Sequence, residues 1–213
     1  RDAQESRGLG DVYKRQGMLY YCPQIWCSDN TDAIERLRIQ YGTSFGYPMS
    51  SVSAHVSVCP NHQNHRVTPF KTRGICAMQG TFGYELDLSK MTDEEKKMAG
   101  EQIAFFKEHG RLFQFGDYYR LTSPFENRDY TVWEYAAQDG SEACMSVVYT
   151  DMYANAASEI VKWKGLDPKK VYQMQLDGED AGNFSGAALM HAGILLPLPE
   201  QNYDAFQIYL KAE

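Results

Sequence analysis

No apolar run in these 213 residues is long enough to cross a bilayer. No C-x-x-C pair sets up a metal or redox site, and no Lys/Arg cluster alternates with aromatics as a nucleic-acid surface does. A net charge of −7 points the same way. Internal repeats and low-complexity stretches are missing, and no motif calls for a cofactor. The cysteines, Cys22, Cys27, Cys59, Cys76 and Cys144, are odd in number and read as reduced, mostly buried thiols of a cytoplasmic protein. What is present is a 43% hydrophobic content, enough to bury a core. Aromatics make up 13%, mostly Tyr and Phe, and serve either that core or stacking on sugar rings.

The stretch that organises the chain is Gly17 to Gly42, GMLYYCPQIWCSDNTDAIERLRIQYG. Tyr20 to Trp26 is expected as a short buried strand, made irregular by Pro23, which has no N–H for the ladder. Cys27-Ser28-Asp29-Asn30-Thr31 forms a polar turn, in which Thr31 or Asn30 can cap the helix that follows. Ile34, Leu37 and Tyr41 recur at helical spacing, and Gly42 stands where a C-terminal cap belongs. A carboxylate between a parallel strand and its helix sits where barrel enzymes keep catalytic groups, which makes Asp29 the lead residue. A helix-capping role for Asp29 is the competing reading.

Met49 to Val58 reads as the next strand, with Val52, Ala54, Val56 and Val58 alternating and His55 on the other face. The loop Cys59 to Arg66 holds His62 and His65, but no third ligand stands nearby and zinc needs at least three, so no metal is expected. Thr72 to Met78 is expected as an outer helix, interrupted by Gly74 and Gly80. Thr81 to Leu88 is a further strand, with Phe82, Tyr84, Leu86 and Leu88 on one face. Glu85 and Asp87 lie on the other, most simply a solvated face. Thr92 and Glu95 form a capping box opening a helix to His109, with Ala99, Ile103 and Phe106 as its apolar stripe and Gly110 as its stop.

From Leu112 the period drops to two. Strands are expected over 114–121, 130–137, 143–149, 157–163, 171–176 and 207–211, punctuated by Asp139-Gly140, Pro168 and Asp177-Gly178. A short helix fits 184–193. The fold class is therefore α/β plus all-β: strand-helix units over 17–112, then an antiparallel β-sandwich over 113–213. Residues 1–16, RDAQESRGLGDVYKRQ, carry no sustained period and are set apart as a foreign junction or tail.

The run YYCPQIWCSDNTDAIERLRIQYGTSFGYP resembles the acid/base segment of family-36 glycoside hydrolases, α-galactosidases that act on melibiose and raffinose. The likeness continues through SAHVSVCPNHQNHRVTPFKTRG and TFGYELDLSKMTDEEK and covers Gly17 to Glu213. It implies the C-terminal part of a (β/α)8 barrel followed by a β-sandwich, with Asp29 as general acid/base and Asn61-His62-Gln63 in a loop near the mouth of the active site. The family's nucleophilic aspartate lies upstream in a Lys-x-Asp motif, which this sequence lacks. The family's Cys-x-x-Gly stretch, which helps hold galactose, is replaced here by DVYKRQ.

A retaining glycosidase needs two carboxyl groups about 5–5.5 Å apart. Asp29 fits the acid/base role by position. Trp26 beside it would lower local polarity and help a carboxyl keep its proton, and Ser28 and Asn30 would orient it or bond sugar hydroxyls. Trp26 and Ser28 are the candidate substrate contacts. With one carboxylate of the pair, the chain is expected to be inactive alone, and a partial barrel to leave an open strand edge. The partner implied is a small α-galactoside, with no nucleic acid or membrane, and the parent enzyme is expected to be a homo-oligomer such as a tetramer. A non-catalytic carbohydrate-binding remnant and a β-sandwich interaction module are the alternatives.

Overall fold

The structure, a computed structural model, describes residues 19–155 and 157–213, so the expectation for residues 1–16 lies outside the described residues. Three strand segments run parallel: Ile25 bridges Val52, Ser53 bridges Thr81, and β1 (Val56–Ser57) pairs with β2 (Tyr84–Glu85). Ile25 N–H donates to Ser51 C=O at 2.7 Å, and Ser53 N–H donates back to Ile25 C=O at 3.0 Å. A helix fills each connection, α1 (Ala33–Thr43) and then α2 (Phe70–Ala77), and α3 (Asp93–Glu108) follows the third segment. This is the strand-helix repeat of a barrel, with three parallel segments among the described residues. Among the described residues the first and third segments each have one parallel neighbour, so both outer edges are open.

The expected strands are shorter than the sequence pattern. Tyr20 and Tyr21 are 86% and 76% exposed, and around Pro23 the pairing shrinks to Ile25. Helix α1 is capped by Asp32, not by Thr31 or Asn30: Asp32 Oδ2 accepts the Glu35 N–H at 3.1 Å. Asn30 Oδ1 is taken by the Asp32 N–H at 3.0 Å. Gly42 does not end the helix. Ser44 closes it with φ −64°, so no left-handed residue is needed. Asp87 also leaves the strand, because its carboxylate accepts from Ser89 N–H and Oγ–H at 3.0 and 2.6 Å and starts a 3-10 turn at Leu88–Lys90. Leu88 is thereby exposed.

Helix α2 is buried along nearly its whole length instead of lying outside. Its glycine permits this: a Cβ on Gly74 would stand 2.1 Å from Gln102 Nε2 of α3. The capping box of α3 forms as expected, with Thr92 and Glu95 exchanging hydrogen bonds at 3.1 Å. The buried face turns on Gln102, which accepts the Tyr84 hydroxyl at 2.8 Å, while Ile103 faces outward. Gly110 opens a further helix, α4 (Gly110–Phe115), which trims the expected 114–121 strand to β3 (Asp117–Arg120).

Next come β4 (Tyr130–Ala136), β5 (Glu142–Tyr149), β6 (Ile160–Val161), β7 (Val171–Leu176), β8 (Glu179–Ser185), α5 (Gly186–His191), β9 (Ile194–Leu195) and β10 (Ala205–Ala212). Six of the strands form one antiparallel sheet in the order β3-β4-β5-β10-β7-β8, and β6 with β9 forms a small second layer. The expected antiparallel β-sandwich part is therefore present. The sequence reading did not include β8, because an edge strand reading EDAGNFS and mostly exposed has no apolar period to show.

The sheet is covered on both faces. Val132, Met145, Val147 and Leu210 pack with Trp163, Leu189 and Leu196. Trp133, Tyr135, Cys144 and Tyr209 pack on Leu37, Ile75 and Leu112 of the helices. Between the two units runs a buried polar line. Arg36, 4% exposed, donates to Ser28 C=O at 3.1 Å, Ser53 C=O at 2.7 Å and Gln40 Oε1 at 3.1 Å. Gln40 donates to Gln79 Oε1 at 2.6 Å, and Gln79 donates to the Tyr118 hydroxyl of β3 at 2.7 Å. The Tyr135 hydroxyl of β4 closes the line on Gln79 C=O at 2.6 Å.

Two outcomes follow from this packing. Arg36→Ala strands the Ser28 and Ser53 carbonyls and is expected to cost about 2–4 kcal/mol of stability, read from the urea midpoint. Glu134 is fully buried, its carboxylate meeting the Lys164 N–H at 3.0 and 3.3 Å, and burial pushes it from 4.5 up to about 8. From about pH 4.5 to 8 the folded chain therefore keeps a proton that the unfolded chain has released, and stability falls as pH rises through that window. Glu134→Gln is expected to flatten this slope, raise Tm above wild type at pH 8, and stabilise the fold there by on the order of a few kcal/mol. An unchanged slope in thermal scans at pH 5 and 8 would refute it.

Candidate active site

All three parallel segments point their C-terminal ends to one rim, where a cleft of about 890 Å³ opens. Its wall includes Trp26, Ser28 and Asp29 after the first segment, His55 from the second and Glu85 from the third. The structure thus brings the three candidate residues into one cleft. Ordering comes from the polar turn. Ser28 Oγ accepts the Asn30 N–H at 3.1 Å, and Ser28 C=O is fixed by Arg36. That leaves the Asp29 side chain exposed on the rim.

Trp26 meets Asp29 through its polar edge, not as an apolar wall. Its indole Nε1–H donates to Asp29 Oδ1 at 3.0 Å, and the ring is 46% exposed. Beneath it lies the His55 imidazole, centroids 4.8 Å apart and planes 8° from parallel. His55 Nε2 stands 2.8 Å from Glu85 Oε2, while Nδ1 has no hydrogen-bond partner among the described residues. Burial lowers the imidazole below its usual range, the nearby Arg36 charge adds to that, and the Glu85 carboxylate opposes it without winning. The neutral ring is thus favoured, and the contact with Glu85 becomes an ion pair only when the imidazole is protonated.

The loop after the second segment clamps the turn from outside. Gln63 Nε2 donates to Asp29 C=O and Gln63 Oε1 accepts the Thr31 N–H, both at 3.0 Å. Asn61 Nδ2 donates to the Thr31 hydroxyl at 3.0 Å. Asn61 and Gln63 thus act on the backbone around Asp29. Among the described residues, no group of three or more His, Cys, Asp or Glu is placed to hold a metal ion. Glu85 and Asp87 do not form a pair, since Asp87 caps its own turn. Sequence reasoning passed over His55 and Arg36 as members of the site, whereas the resemblance had put Gln63 in a loop near its mouth. His55 had a faint signal, a lone imidazole between Val-rich strand positions, but nothing local tells a residue which loop 32 or 34 positions away it will bond.

Residues 4–116 match the Melibiase family model, and residues 130–210 match the glycosyl hydrolase family 36 C-terminal domain. The first match takes in part of the stretch set apart at the N-terminus. Over 191 residues the chain is 51% identical to the bifunctional alpha-galactosidase/sucrose kinase AgaSK of Mediterraneibacter gnavus, covering 90% of this chain and 20% of that protein. It is 48% identical over 196 residues to alpha-galactosidase AgaA of Geobacillus stearothermophilus, covering 92% and 26%. The structure of an AgaA variant in complex with raffinose superposes with a TM-score of 0.87 at 47% identity, covering 92% of this chain and 27% of that one. The galactosidase domain of AgaSK gives the same TM-score of 0.87, at 50% identity and with 92% and 27% covered. The chain thus spans between a fifth and roughly a quarter of the relatives it matches. On the two family matches and these identities, the chain belongs to glycoside hydrolase family 36.

Proposed function

We propose that this chain is the C-terminal part of a retaining α-galactosidase that hydrolyses terminal α-D-galactosyl residues of melibiose- and raffinose-type oligosaccharides. Barrel strands over 17–112 carry the general acid/base, Asp29, and residues 113–213 are the C-terminal β-sandwich domain. The observation that carries this reading is the placement of Asp29 on the rim of the strand-end cleft, its carboxylate held by the Trp26 N–H and its backbone by Gln63. Relatives solved with raffinose and stachyose support the substrate class. No helix among the described residues is long and apolar enough to cross a membrane. The free cysteines favour a cytoplasmic parent, and a tetramer remains the expected assembly.

In the first step Asp29 gives its proton to the glycosidic oxygen while the nucleophile, supplied by the rest of the parent, attacks the anomeric carbon. In the second, Asp29 takes a proton from water as the glycosyl-enzyme is hydrolysed. Trp26 and Ser28 contact the sugar, the indole through its exposed face.

In the full-length parent, Asp29→Ala is expected to lower kcat on an aryl α-galactoside by roughly 10²–10⁴. Azide needs no base and should restore turnover, giving α-galactosyl azide with retained configuration. A variant within tenfold of wild type, or one indifferent to azide, removes Asp29 from the role. The isolated chain is expected to show no turnover of the same substrate, and measurable hydrolysis would overturn the division of the two carboxylates.

A further inference from the structure

We infer that His55 is a positioning residue for Asp29, acting through the Trp26 indole; this rests on the reading of Asp29 as acid/base. Trp26 needs such a support. It leaves a segment held to the sheet at Ile25, it is half exposed, and its hydrogen bond to Asp29 is a single contact at the tip of a long side chain. Rotation about its side-chain torsions would swing the N–H away from the carboxylate.

His55 supplies a fixed plane. Its strand is pinned on both sides, by Ile25 and by Thr81 and Gly83, and its neighbours Ala54 and Val56 are buried. Its own side chain is 6% exposed. The two rings lie nearly parallel, so the indole keeps one orientation as long as the imidazole does not move. Its Nε2 lies 2.8 Å from Glu85 Oε2 on the third segment, which steadies the ring from the side away from its own strand. The imidazole, buried and held at Nε2 beside Glu85, offers the indole a fixed plane. Burial favours its neutral form, with the Glu85 carboxylate opposing and Arg36 adding to the effect of burial.

A group that aims the acid should matter most where the leaving oxygen needs a proton. In the full-length enzyme, His55→Ala is expected to lower kcat/KM for raffinose by roughly tenfold to a hundredfold. Raffinose releases a sugar alkoxide and depends on protonation, whereas p-nitrophenyl α-galactoside releases a stable phenolate and should lose no more than about threefold. His55→Phe, which keeps a flat ring and has no nitrogens, should recover most of the raffinose activity. Equal losses on both substrates, or no loss, would reduce His55 to packing and overturn the inference. If His55→Ala does not fold, His55→Leu fills the volume without a plane and carries the same two outcomes. Asp29→Ala, run alongside, separates the two ideas. If it lacks the raffinose-selective loss, the acid/base reading has failed; if it shows that loss and the His55 variants do not, only the inference falls.

Discussion

A guanidinium taken out of water must have its donors met, and meeting those of Arg36 fixes most of this molecule. Its acceptors are the carbonyls of Ser28, just past the first parallel segment, and of Ser53, within the second, and the amide of its own helical neighbour Gln40. Unpaired, the buried charge would be prohibitively costly, so the two segments and α1 have one mutual arrangement in which the chain can fold. The turn bearing Asp29 is suspended between the Ser28 carbonyl and helix α1, and takes its position from that constraint. Through Gln40 and Gln79 the same network reaches Tyr118 and Tyr135 of the sheet, so the cleft and the C-terminal unit are held by one set of hydrogen bonds.

The sheet repays this by covering the helices. Strands β4 and β5 are buried on both faces, one side closing the core with Trp163 and Leu189 and the other sealing α1 and α2. That double burial explains why Glu134 stays protonated so far above the usual carboxylate range, and why α2 tolerates glycine where a helix on an outer surface would not favour it. The site in turn is built from a rigid base upward: His55 on a pinned strand, Trp26 on His55, the Asp29 carboxylate on Trp26, with Gln63 gripping the backbone from the loop beyond.

Much of the architecture was legible along the chain. Thr92 and Glu95 announced α3 because a capping box involves residues three apart. The switch to period two near Leu112 announced the sheet, and the Asp177-Gly178 turn marked the β7–β8 hairpin, although β8 itself was too polar to see. Errors clustered at element ends. Asp32 outcompeted Thr31 and Asn30 as cap because Arg66, from a distant loop, pairs with its carboxylate. Ile103 lost its place on the buried face of α3 to Gln102, whose partners Phe70 and Tyr84 come from other elements.

By itself the sequence determined the classes of structure, a strand-helix unit then an antiparallel sheet, and picked Trp26, Ser28 and Asp29 as neighbours, because adjacency and period are properties of a local stretch. Only the tertiary structure decided that α2 is interior, that Glu134 is dry, and that His55, Glu85 and Gln63 meet around Asp29. Those facts depend on contacts between residues tens of positions apart, and such contacts follow from how the strands are laid side by side, which no local pattern encodes.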